Sequence, residues 1–268
     1  MQIKLQGVHY TYPGGVQALK DVTLWIEPAE HVALVGRNGS GKTTLARHLN
    51  GLLRPQGGSV WVGDWLTSDH SPARLAQRVA YVFQNPDEQL FCRRIWDEVA
   101  FGPRNLGYDR SKVKALVEQA LSSVRLDAQA SLNPRDLGLA DRKLVTLAAA
   151  LAMDTPVVIF DEPTAGLDAN QLEMLAQILQ RLRQEKTVLV ISHDMDFVAE
   201  NLDRIILMDA GQVTVDASAQ EFFGYDSQIE SAGIHLPQMV RLSRNLGQSK
   251  PALKVDQFFQ VFGVAPGQ

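Results

Sequence analysis

The stretch GRNGSGKTT, Gly36 to Thr44, constrains this chain more than any other. It follows the apolar run HVALV and opens a stretch of helix-forming residues from Lys42 to Leu53. Gly36, four residues, Gly41, Lys42 and Thr43 make the phosphate-loop pattern. Glycines let backbone N–H groups turn inward around phosphate oxygens, and the helix that follows aims its positive end at them. The loop thus offers Gly36, Asn38, Gly39, Ser40, Gly41, Lys42, Thr43 and Thr44 to a nucleotide. Lys42 is expected on the β- and γ-phosphates, and the Thr43 hydroxyl on Mg²⁺. A chance match occurs about once in a hundred chains of this size, given average residue frequencies. The strand before it and the helix after it supply the required context.

A second element completes the chemistry. VVIFDEP ends an apolar run in Asp161 and Glu162. A carboxylate at the end of a buried strand can hold Mg²⁺, and Glu162 is placed to polarise an attacking water. PVVIF and TVLVIS are continuous β-branched runs separated by the helical ANQLEMLAQILQRLRQE, which predicts parallel strands covered on both faces. Residues 1 to 30 instead alternate apolar and polar around Pro13-Gly14-Gly15, as antiparallel strands do, and RIILMDAGQVTVD reads as strand–turn–strand. Residues 87 to 155 carry few strand signals and several helical ones, and read as an inserted helical subdomain. A tail follows Gly224, with a helix expected in LPQMVRLSRNL and an aromatic-rich end, VDQFFQVFGV.

Composition narrows the function classes. With 268 residues, 45% of them hydrophobic, the chain can bury a large core. Its net charge of -4 argues against a basic nucleic-acid binder. One cysteine, Cys92, excludes an internal disulfide. The N-terminus lacks the charged-then-apolar build of a signal peptide, and no apolar run reaches the ~18 residues of a membrane span. The chain is not expected to cross a membrane by itself.

These motifs, in this order, resemble the ATP-binding cassette (ABC) ATPases across roughly residues 1 to 224. The resemblance implies an α/β fold: a P-loop NTPase cassette with an antiparallel β subdomain, a RecA-like parallel-sheet core, a helical subdomain and a small C-terminal extension from 225 to 268. It implies ATP and Mg²⁺ as cofactors. Tyr12 in YTYPGG resembles the aromatic that stacks on adenine. Gln84 in YVFQNP resembles the glutamine that senses Mg²⁺ and contacts the membrane partner. Asp168 in AGLD resembles the loop that crosses to the other subunit, and His193 in ISHD resembles the switch histidine at the γ-phosphate. QNPDEQLF, DEVAFGPRNLG and IHLPQMVRLSRNL narrow the resemblance to energy-coupling-factor (ECF) transporters and their cobalt and nickel relatives. This narrower resemblance implies a subunit held peripherally at the cytoplasmic face of the membrane. Its implied partners are a second cassette, a transmembrane coupling protein and a substrate-binding membrane subunit, and its cargo a vitamin or a transition-metal ion. A subunit-pairing role for the extension belongs to the same resemblance.

One segment departs from the family pattern. A Leu-Ser-Gly-Gly-Gln signature should start the helix before the Asp–Glu strand and face the other subunit's ATP. Leu137, Gly138, Leu139, Ala140 and Asp141 stand there instead. Gly138 removes the hydroxyl, Leu139 and Ala140 put side chains where bare backbone should approach phosphate, and Asp141 adds a repelling carboxylate, although one suited to capping its own helix. Losing one such donor costs about 3 kcal/mol at the transition state. A heterodimer with a normal paralogue would keep one good site, built from this chain's phosphate loop and the partner's signature. A homodimer would have two sites with a good front and a defective lid. The competing function is a soluble cassette ATPase acting on nucleic acid or ribosomes. It usually needs tandem cassettes, coiled-coil insertions or a basic surface. An ATP-binding regulator without turnover is a third, disfavoured by intact Glu162 and His193.

Overall fold

In the computed structural model, residues 1–248 and 251–262 are described. The strands run in chain order as β1 (Ile3–Thr11), β2 (Gln17–Ile26), β3 (His31–Val35), β4 (Gly57–Val62), β5 (Trp65–Leu66), β6 (Val79–Val82), β7 (Val157–Asp161), β8 (Thr187–Ile191), β9 (Arg204–Asp209) and β10 (Gln212–Ser218). Alternation and continuity in the sequence sort them into two sheets. The alternating strands form an antiparallel sheet of order β2-β1-β4-β5. The continuous apolar runs form a six-stranded sheet of order β10-β9-β3-β8-β7-β6, parallel except for β10. Every residue of β3, β7 and β8 is buried, as a strand covered on both faces requires.

The helices are α1 (Lys42–Leu49), α2 (Pro72–Leu75), α3 (Ile95–Asn105), α4 (Arg110–Ser123), α5 (Leu139–Ala152), α6 (Ala169–Leu182), α7 (Met195–Asn201), α8 (Ala219–Phe222), α9 (Asp226–Ser231), α10 (Gln238–Asn245) and α11 (Val255–Phe262). Helix α1 is shorter than the sequence suggests, because Gly51 at φ 74° turns the chain out of the helical region. No strand lies between β6 and β7; α3, α4 and α5 pack on one another there through Val99, Val117, Leu121, Leu144 and Leu147.

Two apolar layers sandwich the parallel sheet. One, with Leu5, Leu24, Leu34, Leu45, Ile159 and Leu189, lies between the sheets and around α1. The other, with Phe160, Val190, Leu175 and Leu179, lies under the helices. Phe160 is fully buried, and truncating such a ring to alanine costs about 3–5 kcal/mol. Ile229, Ala232, Val240 and Leu253 of the tail belong to this second layer. A cut at Gly224 would therefore uncover core surface. Residues 249, 250 and 263–268 of the proposed extension lie outside the described residues.

The strand order sets the site. β3, β8 and β7 are neighbours and parallel, so their carboxyl ends emerge side by side. The phosphate loop leaves β3, His193 follows β8, and Asp161 ends β7. Open α/β sheets bind ligands at that edge.

Candidate functional site

The phosphate loop turns tightly around its own backbone. Gly36 has φ 143°, and a Cβ there would lie 2.1 Å from the Met208 carbonyl oxygen. Gly41, at φ 107°, precedes α1, and its Cβ would lie 2.5 Å from the Ala18 oxygen. No other residue fits at either position. Lys42 Nζ donates to the carbonyls of Gly36 (2.7 Å) and Arg37 (2.9 Å). Burial lowers its pKa, while the facing carboxylates of Glu162 and Asp161 favour the charged form. The ammonium is thereby held at the floor of the loop.

A cleft of about 380 Å³ opens over this loop, lined by Tyr12, Asn38, Gly39, Lys42, Thr43, Thr44, Gln84, Asp161 and Glu162 among others. Tyr12 sits at one end, where its hydroxyl and that of Thr44 are 3.0 Å apart, and its ring packs edge-on against Tyr10. Asp161 is buried. Its Oδ1 accepts from Thr43 Oγ1 at 3.4 Å and its Oδ2 from the Tyr81 hydroxyl at 2.8 Å. Desolvation raises the Asp161 pKa, against hydrogen bonds from Tyr81 and Thr43 and the charges of Arg47 and Lys42. Burial, then the Asp161 charge, raises that of Tyr81, so the phenol stays a donor.

Thr43 and Asp161 together present hard oxygen donors. Among the described residues no group of three or more His, Cys, Asp or Glu forms a protein-only metal cage. Mg²⁺ suits this pair, since it binds through one or two protein oxygens together with phosphates and water.

Glu162 has φ 50°, outside the usual region for its type, and its N–H donates to the Ile191 oxygen at 2.8 Å. That turn brings its carboxylate back toward β8. His193 Nδ1 donates to Glu162 Oε2 at 2.7 Å. The glutamate side chain is 8% exposed and the histidine 69%, so the ring reaches from a buried carboxylate out to open cleft. A carboxylate only accepts, which leaves Nε2 free to accept a proton or address a ligand.

Lys143 was not expected from the sequence. This buried lysine of α5 donates to the carbonyls of Glu162 (3.1 Å) and Ala165 (2.7 Å). Burial lowers its pKa and the Glu162 and Asp161 carboxylates oppose that. It holds the strained Glu162 turn and the loop leading to Asp168. Tyr81 was also unforeseen. Neither has a sequence signal of its own; a lysine in RKL and a tyrosine in AYVF look like surface and core.

The start of α5 is built differently. Gly138 is its N-cap, with no side-chain cap, and Leu139 is 51% exposed. Asp141 was expected to cap this helix; instead it sits in the first turn and its Oδ1 accepts from Gln171 Nε2 at 3.2 Å. Gln171 in turn closes a capping box with Asp168 at the start of α6. Neither Asp168 nor any of Leu137–Asp141 lines the nucleotide cleft. Gln84 does, and it is followed by a turn where Asp87 pairs with Arg142 of α5 at 2.6 Å. Nearby, Glu98 Oε2 of α3 accepts from the N–H groups of Phe91 and Cys92, fixing a loop whose exposed Phe91 meets exposed Phe101 of α3 edge-to-face at 4.7 Å.

Known proteins share this arrangement. A family model described as ABC transporter matches residues 19–165. The energy-coupling factor transporter ATP-binding protein of Methanothermobacter thermautotrophicus is 35% identical over 248 residues, 91% of this chain and 79% of its own length. Among solved structures, cbiO1 from Clostridium perfringens, part of the ABC transporter complex cbiONQ, matches at TM-score 0.74 and 28% identity, covering 91% of this chain and 98% of that one. A dimeric ATP-binding cassette in a post-hydrolysis state, bound to ADP and Pi, matches at TM-score 0.74 and 28% identity over 81% of this chain and 98% of that one.

Proposed function

This chain belongs to the ABC transporter ATP-binding family, as an ATPase related to the energy-coupling factor subunits, and we propose that it forms the catalytic half of an asymmetric cassette pair. One observation carries the asymmetry. The chain has a complete nucleotide cleft with Glu162 and His193 hydrogen-bonded, yet its α5 begins with an exposed leucine and an acid where a phosphate-binding lid belongs.

In this reading ATP lies along the cleft, its base against Tyr12 and its phosphates in the loop with Lys42. Mg²⁺, bound by Thr43 and Asp161 with Gln84 nearby, supplies charge neutralisation. Glu162 orients and polarises the attacking water, and His193, aimed by its bond to Glu162, addresses the γ-phosphate. The partner's signature covers this nucleotide. The second nucleotide, on the partner's loop, meets Gly138, Leu139, Ala140 and Asp141 and turns over slowly, while Asp168 meets the partner across the interface. Closing and reopening of the pair moves the helices beyond Gln84 and gates the membrane protein.

No helix among the described residues is long and apolar enough to cross a membrane. The chain works peripherally at the cytoplasmic face, docked on a transmembrane coupling protein that carries substrate-binding membrane subunits. Exposed Phe91 and Phe101 near the Gln84 turn support such docking. The cargo class that goes with the ECF-type resemblance is a vitamin or a transition-metal ion. The relevant test is a tagged pull-down from detergent-solubilised native membranes with mass spectrometry. We expect a second cassette with a normal signature and an integral membrane protein. Copies of this chain alone with a membrane protein would overturn the heterodimer, and recovery without a membrane protein would overturn the transporter.

A further inference from the structure

The tail does more than pack on the core. Helix α9 ends in a left-handed turn: Gly233, at φ 60°, donates its N–H to Glu230 O at 2.9 Å, and Ile234 donates to Ile229 O at 3.1 Å. This 5→2 and 6→1 pair is the Schellman stop, which reverses the chain at a fixed angle. The reversal sends the next residues alongside the phosphate loop. A Cβ on Gly233 would lie 3.6 Å from Arg37 Nε. Ala232, Gly233, Ile234 and His235 then form one wall of a cavity of about 520 Å³ whose other walls include Arg37, Glu162 and His193.

The far end of the same segment is fastened to the helix after His193. Pro237 leads into α10, and the Gln238 N–H donates to Asp196 Oδ1 at 2.7 Å. Asp196 is in the first turn of α7, which begins two residues beyond His193 and is capped by Asp194 accepting from the Phe197 N–H at 3.0 Å. Buried Ile229, Ala232 and Val240 anchor the segment from behind. One short stretch therefore lies beside the Arg37 side chain of the phosphate loop at one end and is hydrogen-bonded at the other to α7, which follows His193.

We propose that Gly233–Gln238 is a strut, and Asp196 a positioning residue, that hold His193 in register between Glu162 and the phosphate loop of the same chain. The proposal rests on His193 and Glu162 being the hydrolytic pair. A strut of this kind works both ways: movement of His193 with the nucleotide reaches the tail through the same bond.

Gln238→Pro removes the donated N–H together with an exposed side chain, and proline is favoured at the first position of a helix. In the full-length chain with its native partner, Gln238→Pro and Asp196→Ala should each lower kcat about tenfold, the worth of one hydrogen bond to a charged group. KM for ATP should stay within about twofold, since the lost contact does not hold ground-state nucleotide. The double variant should be no slower than the slower single one. An unchanged kcat in Gln238→Pro, or losses that multiply in the double variant, would overturn the strut, as would a fall in thermal stability without a fall in kcat. Amide exchange across α7 without nucleotide gives an answer independent of turnover: it should rise in Gln238→Pro, and equal exchange would also overturn the proposal. Glu162→Gln serves as the control for the functional reading, because turnover that survives it would sink the hydrolytic assignment while leaving the exchange result to judge the strut.

Discussion

The nucleotide cleft and the start of α5 both carry glycine, but only in the cleft does the fold require it. At Gly36 and Gly41 a Cβ would collide with this chain's own backbone, so the fold itself demands glycine there. At Gly138 a Cβ would meet nothing within 4 Å. Its φ of -64° is open to any residue. Leu139 and Ala140 likewise sit in an ordinary first turn. The start of α5 can therefore lose its family residues without cost to folding, and in the proposed pair it is the other subunit's nucleotide that would register the change. A single chain's geometry separates what its own fold requires from what an absent surface requires.

Changes on the cleft side should have the largest effects. Asp161→Asn should cut ATP hydrolysis about a thousandfold and shift Mg²⁺ dependence to higher concentration, because in the proposed site it weakens a buried oxygen that would hold Mg²⁺; steady-state turnover against Mg²⁺ measures both. Equal Mg²⁺ dependence in variant and wild type would remove Asp161 from the metal site. The second test acts on the other face. In a Glu162→Gln background, Gly138→Ser with Leu139→Gly and Ala140→Gly should raise the residual turnover of the complex about a hundredfold, by returning phosphate-binding donors. No rise would mean that this face is not a lid at all. The smallest effect joins the two faces. Lys143→Met strands the Glu162 and Ala165 carbonyls, and should lower unfolding stability by about 1–3 kcal/mol in denaturant titrations, with Lys143→Arg recovering most of it.

Much of the cleft was legible in the sequence because its chemistry is local. GRNGSGKTT encodes a turn that only glycines permit, and VVIFDEP places two acids at the end of a buried strand. The two sheets were legible too, since alternating and continuous burial leave different patterns. The contacts made by Lys143, Tyr81 and Asp196 were not. Each acts through tertiary neighbours far away in sequence: Lys143 on Glu162, Tyr81 on Asp161, Asp196 on Gln238. Asp141 shows the same limit from the other side, because a helix-start acid reads as a cap until Gln171 is seen beside it.

Two single substitutions, in the complex isolated with its native partner, distinguish a pair in which one site does the work from a pair of equal sites. Glu162→Gln removes the proposed base and should lower turnover by about 10²–10⁴-fold. The equivalent glutamate-to-glutamine change in the partner cassette should spare most of the activity. Equal losses from the two variants would rule out the asymmetric pair, and would mean that Leu139, Ala140 and Asp141 close a working site.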